Sequence, residues 1–277
     1  MKSSVALNLT LLTSARYQIL TAASGTFSDG SLAYLTNREG TGLLDAEIGY
    51  AAPSSLYDDL TDIPRFPSPI APLPALKAAR SDFHIVLCAG HSRPGDSGAL
   101  STSGVTEHRF YSRYIIHAVA DALRALGFTV TVIEQYQGRS YGAAMRWLAK
   151  KLKELGADLA YEFHFNAAGK SAEGFEALFW HRSKVSDDVA EAMQRVQVLA
   201  YPEMKDRGIE PLGDQAHERG TLFCSLPHCP SIILEPFFGT NVAEVAEYMS
   251  EKGRPRFIKM LTQGIEAGAD RLLQSAA

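Results

Sequence analysis

From residue 81 onward the chain alternates short apolar runs with longer amphipathic stretches, and this alternation restricts the fold more than any other feature. Residues 83–88 are almost continuously apolar, and 231–235 (SIILE) are apolar up to the last position. A strand that is apolar on both sides must be covered on both sides, as strands of a parallel sheet are. Between these runs, residues 107–126 carry Tyr111, Tyr114, Ile115, Ala118, Ala122 and Leu126 at three- and four-residue spacing, with Gly127 as a stop. The spacing predicts a helix there. Further helices are expected over 140–155, stopped at Gly156, over 186–199 with Ser186 as N-cap, and over 242–250 and 254–274. Strands are expected over 128–133, 158–164 and 174–180, and 202–230 reads as irregular. The expected fold is α/β with three layers: a mainly parallel twisted sheet with helices on both faces.

Residues 64–74 read PRFPSPIAPLP, five prolines in eleven residues. Such a segment can be neither a helix nor a central strand, and reads as a stiff connector. It divides the chain into a small β-rich N-terminal unit over 1–63, a linker over 64–80 and a main domain over 81–277. The first unit has short alternating segments separated by Gly, Ser, Asn and Asp, and carries no recognisable chemistry.

Composition excludes several classes. Lys and Arg total 27 against 31 Asp and Glu, a net charge of -4, which argues against a nucleic-acid partner. No apolar run approaches the ~20 residues of a membrane span. The first twenty residues alternate as a strand does, with Asn8, Thr10 and Arg16 interrupting them, and do not read as an export signal. Cys88, Cys224 and Cys229 are too few for a disulfide framework.

In open α/β sheets the ligand site lies at the carboxyl ends of the strands. His91 and His164 stand at two such predicted ends, Glu235 at a third, and Glu107 opens a helix after a loop rich in Gly, Ser and Pro. His91, Glu107 and His164 would form a His₂Glu set for one catalytic Zn²⁺, leaving a position open for water or a substrate oxygen. Glu235 is then the candidate for general base and acid. Other residues compete for roles: Cys88 as a ligand within its strand, Cys224, His228 and Cys229 as a second Cys/His cluster, and His108 as a rim residue. His217, Asn166, Arg93 and Arg109 are candidates for substrate contacts.

The order of these motifs resembles that of the zinc-dependent N-acetylmuramoyl-L-alanine amidases of bacterial cell separation and phage endolysins, over about residues 83–275. The resemblance is carried by Gly90-His91, by Asp96-Ser97-Gly98-Ala99, by Gly104-Val105-Thr106-Glu107, by Glu162-Phe163-His164-Phe165-Asn166-Ala167 and by Leu234-Glu235 followed by Phe237 and Thr240-Asn241. Arg207-Gly208 precedes the last strand, as in the family. The chain departs from the family pattern at Cys88-Ala89 before the first histidine, at Ser92-Arg93-Pro94-Gly95 after it, and at Glu162, where the family has serine. The resemblance implies zinc held by His91, Glu107 and His164, catalysis by Glu235, and hydrolysis of the amide between N-acetylmuramic acid and L-alanine in peptidoglycan or a muropeptide. Two alternatives stand beside it: another zinc amidohydrolase or carboxypeptidase-like peptidase, and a non-catalytic wall-binding module. A wall substrate implies action in the periplasm or as a released phage lysin, or on recycled wall fragments.

Overall fold

The computed structural model describes the strands of residues 8–51 by their backbone, and residues 79–214 and 220–275 in full. The 64–78 part of the expected linker and His217 lie outside the described residues. The chain divides into two compact units, Met1–Phe66 and Pro67–Ala277. In the first, β1 (Asn8–Leu9), β4 (Ala23–Thr26), β5 (Leu32–Thr36) and β6 (Glu47–Ala51) form an antiparallel sheet, and β2 (Leu12–Ser14) pairs with β3 (Tyr17–Ile19).

The second unit is built on a six-stranded sheet in the order β11-β10-β12-β9-β7-β8. Its strands are β7 (His84–Ala89), β8 (Thr129–Ile133), β9 (Leu159–Phe163), β10 (Phe175–Trp180), β11 (Asp206–Leu212) and β12 (Ser231–Glu235). All neighbours pair in parallel except β10 with β12, which is antiparallel. The expected mainly parallel sheet is therefore present. The three central strands β12, β9 and β7 are mutually parallel, so their carboxyl ends open on one edge.

Successive residues of a strand face opposite sides of the sheet. On one side Val86, Cys88, Ala160 and Ile233 pack under α3 (Tyr141–Leu155) and α5 (Thr221–Ser225). On the other side Tyr161 and Phe163 meet α7 (Arg254–Ser275) and the start of the first helical segment: Phe163 stacks on Tyr111, and Tyr161 lies against Gly268. α4 (Lys184–Ala200) packs on α7 and on this same side, and α6 (Val242–Met249) follows β12. Helices thus cover both faces.

The segment expected as one helix over 107–126 is helical throughout but not uniform. α1 (Glu107–Phe110) runs into a π turn (Tyr111–Ile115) and then α2 (Ile116–Ala125). The wider turn holds one more residue than an α-turn. Downstream, the buried face therefore falls on Ile116, Val119, Ala120 and Leu123, whereas Ala118 is exposed. The helix at 141–155 starts and stops as its sequence implies: Ser140 Oγ accepts from the Ala143 amide, and Gly156 closes it with φ 64°. The cap of α4 is Ser183, not Ser186; Ser183 Oγ accepts the Ser186 amide at 3.1 Å, and Ser186 is buried within the first turn. Residues 202–230 are less irregular than expected, since β11 adds an edge strand and α5 a short helix.

Arg80, just ahead of β7, is tied to α7 by a bidentate pair with Asp270, at 3.0 and 2.5 Å, and also meets Glu266 at 3.0 Å. Its side chain is only 9% exposed, so removing the partner would strand a buried cation. Asp270→Ala should cost about 3 kcal/mol, toward the low end for a buried pair because Glu266 stays in place, and denaturant unfolding checks it.

Candidate metal centre

Each of the residues singled out at strand ends and at the first helix start reaches the same sheet edge by a different local device. β7 ends at Ala89, and the chain turns through Gly90 into His91, whose φ of 55° makes it the one left-handed non-glycine among the described residues. Gly90 can only be glycine: a Cβ there would lie 2.4 Å from Cε1 of His164. Gly98 has φ 71°, and a Cβ on it would stand 2.6 Å from the His91 ring and 2.8 Å from Glu107. β9 ends at Phe163, and the His164 amide donates to the Leu234 carbonyl of β12 at 2.9 Å. The π turn brings Tyr111 beneath this end, where its hydroxyl donates to the His164 carbonyl.

His91, Glu107 and His164 offer ligand atoms that all lie within 4.8 Å of one another. The centre of the group is Glu107 Oε1, 2.6 Å from His164 Nδ1 and 3.4 Å from His91 Nε2. The Glu107 side chain is 3% exposed. Backbone amides of Ala99 and Phe165 also donate to it, at 3.2 and 3.3 Å. Burial alone would raise its pKa, but the two imidazoles outweigh this and hold it at about 2. The histidines respond in kind. Burial lowers their proton affinity, and their carboxylate neighbours more than reverse it, so both pKa values lie above the ordinary histidine value.

The far side of each ring also faces a carboxylate. His91 Nδ1 is 3.0 Å from Asp96 Oδ1, and Asp96 also holds Arg93 at 2.9 Å. His164 Nε2 is 3.0 Å from Glu162 Oε2; the distance is that of an ion pair, without the alignment of a hydrogen bond. Asp96 appeared in the sequence only as part of a motif, and Glu162 only as a departure from one. The available signal for Glu162 was a single carboxylate on an otherwise apolar strand, two positions before a strand-end histidine and hence on its side of the sheet.

Glu235 ends β12, opposite Glu176 of β10. Its side chain is half-buried as a whole, but Oε2 is buried and has no hydrogen-bond partner. Burial pushes its pKa up to about 8; His164 and His91 pull it down, while Glu107 and Glu176 push further up. Glu176 is itself held by Asn166 at 2.6 Å and Arg207 at 2.8 Å. Asn166 and Arg93 thus serve partners within the protein, Arg109 is exposed, and His108 lies between Gly90 and Ser92 on the wall of a neighbouring cavity. That cavity, about 640 Å³, opens beside His91 and is also lined by Arg93, Glu134 and Tyr136. The three cysteines are free and buried, and His228 is exposed. Among the described residues only His91, Glu107 and His164 form a group able to hold a metal ion.

This is an α/β protein in which two central strands deliver imidazoles, and the start of α1 a buried carboxylate, to one point. The family model for N-acetylmuramoyl-L-alanine amidases (Amidase_3) matches residues 85–267. Solved structures agree in fold. The amidase AmiC2 of Nostoc punctiforme superposes with a TM-score of 0.55 at 17% identity, over 69% of this chain and 97% of that one. The catalytic domain of CwlV from Bacillus (Paenibacillus) polymyxa var. colistinus gives 0.55 at 21%, over 69% and 98%. The catalytic domain of the CD27L endolysin, which targets Clostridia Difficile, gives 0.53 at 21%, over 66% and 97%. A comparison with curated protein sequences gave no match. The chain belongs to the N-acetylmuramoyl-L-alanine amidase family and is an enzyme of that class, which sets aside a non-catalytic wall-binding module.

Raising the pKa of a carboxyl group in the folded state means that the folded protein binds a proton the unfolded chain releases. Between the ordinary carboxyl value and about 8, stability then falls as pH rises. In chelator-treated protein, Glu235→Gln should therefore melt higher than the parent by a margin that widens from pH 5 to pH 8 and levels off above. A margin independent of pH in thermal melts would show that Glu235 ionises normally.

Proposed function

We propose that the chain hydrolyses the amide between the lactyl group of N-acetylmuramic acid and the L-alanine of the stem peptide. In this reading one zinc ion is held by His91, Glu107 and His164, and Glu235 acts as general base and then general acid. The observation that carries it is the meeting of two imidazole nitrogens at a buried carboxylate oxygen. Two neutral imidazoles and one carboxylate are the donor set of open catalytic zinc sites. The structure holds the outer nitrogens of both rings against carboxylates, as metal-ligating histidines require. The donors present fit the ion.

When bound, zinc supplies Lewis acidity toward the amide carbonyl and the attacking water. The protein's own groups do the rest. Asp96 keeps Nε2 of His91 turned toward the site by occupying its Nδ1. Glu235 Oε2, buried and without a hydrogen-bond partner, is free to take a proton from water and return it to the departing amine. Its raised pKa suits that exchange near neutral pH, and the charge of a bound cation would shift it down from about 8. The cavity beside His91 is of a size to take part of a muropeptide.

Glu235→Ala should bind one zinc per chain and lose muropeptide turnover by roughly 100- to 10,000-fold, whereas His164→Ala should lose zinc. Elemental analysis with a turnover assay separates the two, and normal cleavage by Glu235→Ala would end the assignment. The ligands must shed protons to take up the ion, and both imidazoles hold theirs above the ordinary histidine value. Zinc affinity should thus weaken as pH falls, starting at a higher pH than for ligands of ordinary histidine pKa, as chelator competition across pH would record.

A further inference from the structure

Glu162 stands in the apolar layer directly beneath the candidate metal centre. It lies in β9 between Tyr161 and Phe163, is 4% exposed, and faces the same side of the sheet as Cys88, Ala160 and Ile233. A carboxylate there is heavily penalised unless something holds its charge. Two groups do. The Tyr136 hydroxyl donates to Oε1 at 2.7 Å, and His164 Nε2 lies 3.0 Å from Oε2. Among the described residues no lysine or arginine pairs with it, so His164 is its one charged partner. Tyr136 is 3% exposed and comes from the loop after β8, so its contact with Glu162 is buried below the sheet edge.

The arrangement parallels that on the other histidine, except that His91 and Asp96 are hydrogen-bonded while His164 and Glu162 meet at ion-pair distance without that alignment. His91 turns Nε2 to Glu107 and rests Nδ1 on Asp96; His164 turns Nδ1 to Glu107 and rests Nε2 on Glu162. Asp96 sits in a motif of the family pattern, whereas Glu162 replaces the serine of that pattern two residues before the histidine. A serine hydroxyl could neither carry charge nor reach as far.

We infer that Glu162 is a positioning residue, braced by Tyr136, that fixes the orientation and tautomer of His164 and strengthens its hold on a metal ion. With the ion on the Nδ1 side, the one proton left on the ring sits on Nε2, facing Glu162. The carboxylate then restrains the ring, which packs so close to Gly90 that a Cβ there would lie 2.4 Å from Cε1. The inference rests on the reading of His91, Glu107 and His164 as metal ligands.

The test uses the full chain, with zinc affinity measured by chelator competition and the visible spectrum of the Co²⁺-substituted protein as a report on ligand geometry. Glu162→Gln keeps the shape and removes the charge. It should weaken zinc binding roughly 10- to 100-fold and shift the Co²⁺ spectrum, while the metal-free protein melts no lower than the parent. Tyr136→Phe should move both readouts in the same direction by less. If Glu162→Gln does not fold, Glu162→Ser, which restores the family residue, takes its place with the same expectation. Zinc affinity and Co²⁺ spectrum both unchanged in the folded variant would overturn the role of Glu162 and leave the ligand assignment standing. Failure of the parent protein itself to bind zinc would overturn the ligand assignment, and the role of Glu162 with it.

Discussion

The buried carboxylate of Glu107 is the point on which the site depends. An ionised group that is 3% exposed is sustained only by what surrounds it, and here two imidazoles and two backbone amides do so. Each partner requires a separate piece of the fold. The Ala99 amide needs the loop after β7 to turn at Gly98; the Phe165 amide and His164 need β9 to end where it does. Glu107 itself must open a helix whose π turn sets Tyr111 under the His164 carbonyl. Loss of any of these leaves the buried charge less fully compensated, so the candidate ligand set and the local fold depend on each other.

The site carries more carboxyl groups than its three central residues suggest. Asp96 and Glu162 back the two rings, and Glu235 stands nearby with its pKa raised by burial and by Glu107 and Glu176. Such an accumulation is costly for the protein alone and becomes favourable around a divalent cation. The carboxylates fall into two kinds. Glu107 is surrounded by donors and stays ionised, while Glu235 has a buried oxygen without one and holds its proton to about pH 8. That separation suits the two roles proposed for them, a ligand and a proton carrier at one sheet edge.

Much of this was legible in the chain itself, and the rest was hidden for identifiable reasons. Apolar runs marked β7 and β12, the strand ending in His164 was expected between them, and because these strands are parallel neighbours, His91, His164 and Glu235 fall at one edge. The Ser140 and Gly156 limits of α3 were equally plain, since both act locally. The π turn was not, because its extra residue breaks the 3.6-residue period on which the reading relied. β11 escaped notice because an edge strand with Gly208, Pro211 and alternating charges has no apolar period to detect. Tyr136 comes from a loop that meets Glu162 only in space, so no spacing announced it, and Asp96 stood in a motif without its contact to His91 being evident. Glu162 was visible as a charge in an apolar strand, but its purpose needed the His164 ring beside it.

The proposed chemistry is tested most directly by which bond is cut and by its dependence on the metal. Purified peptidoglycan incubated with the protein should yield, by mass spectrometry, glycan with a free lactyl carboxylate and stem peptides with a free L-alanine amine. That product pair should vanish with a chelator and return with one equivalent of zinc. Cleavage at a different bond, or the same cleavage undiminished after the metal is removed, would contradict it.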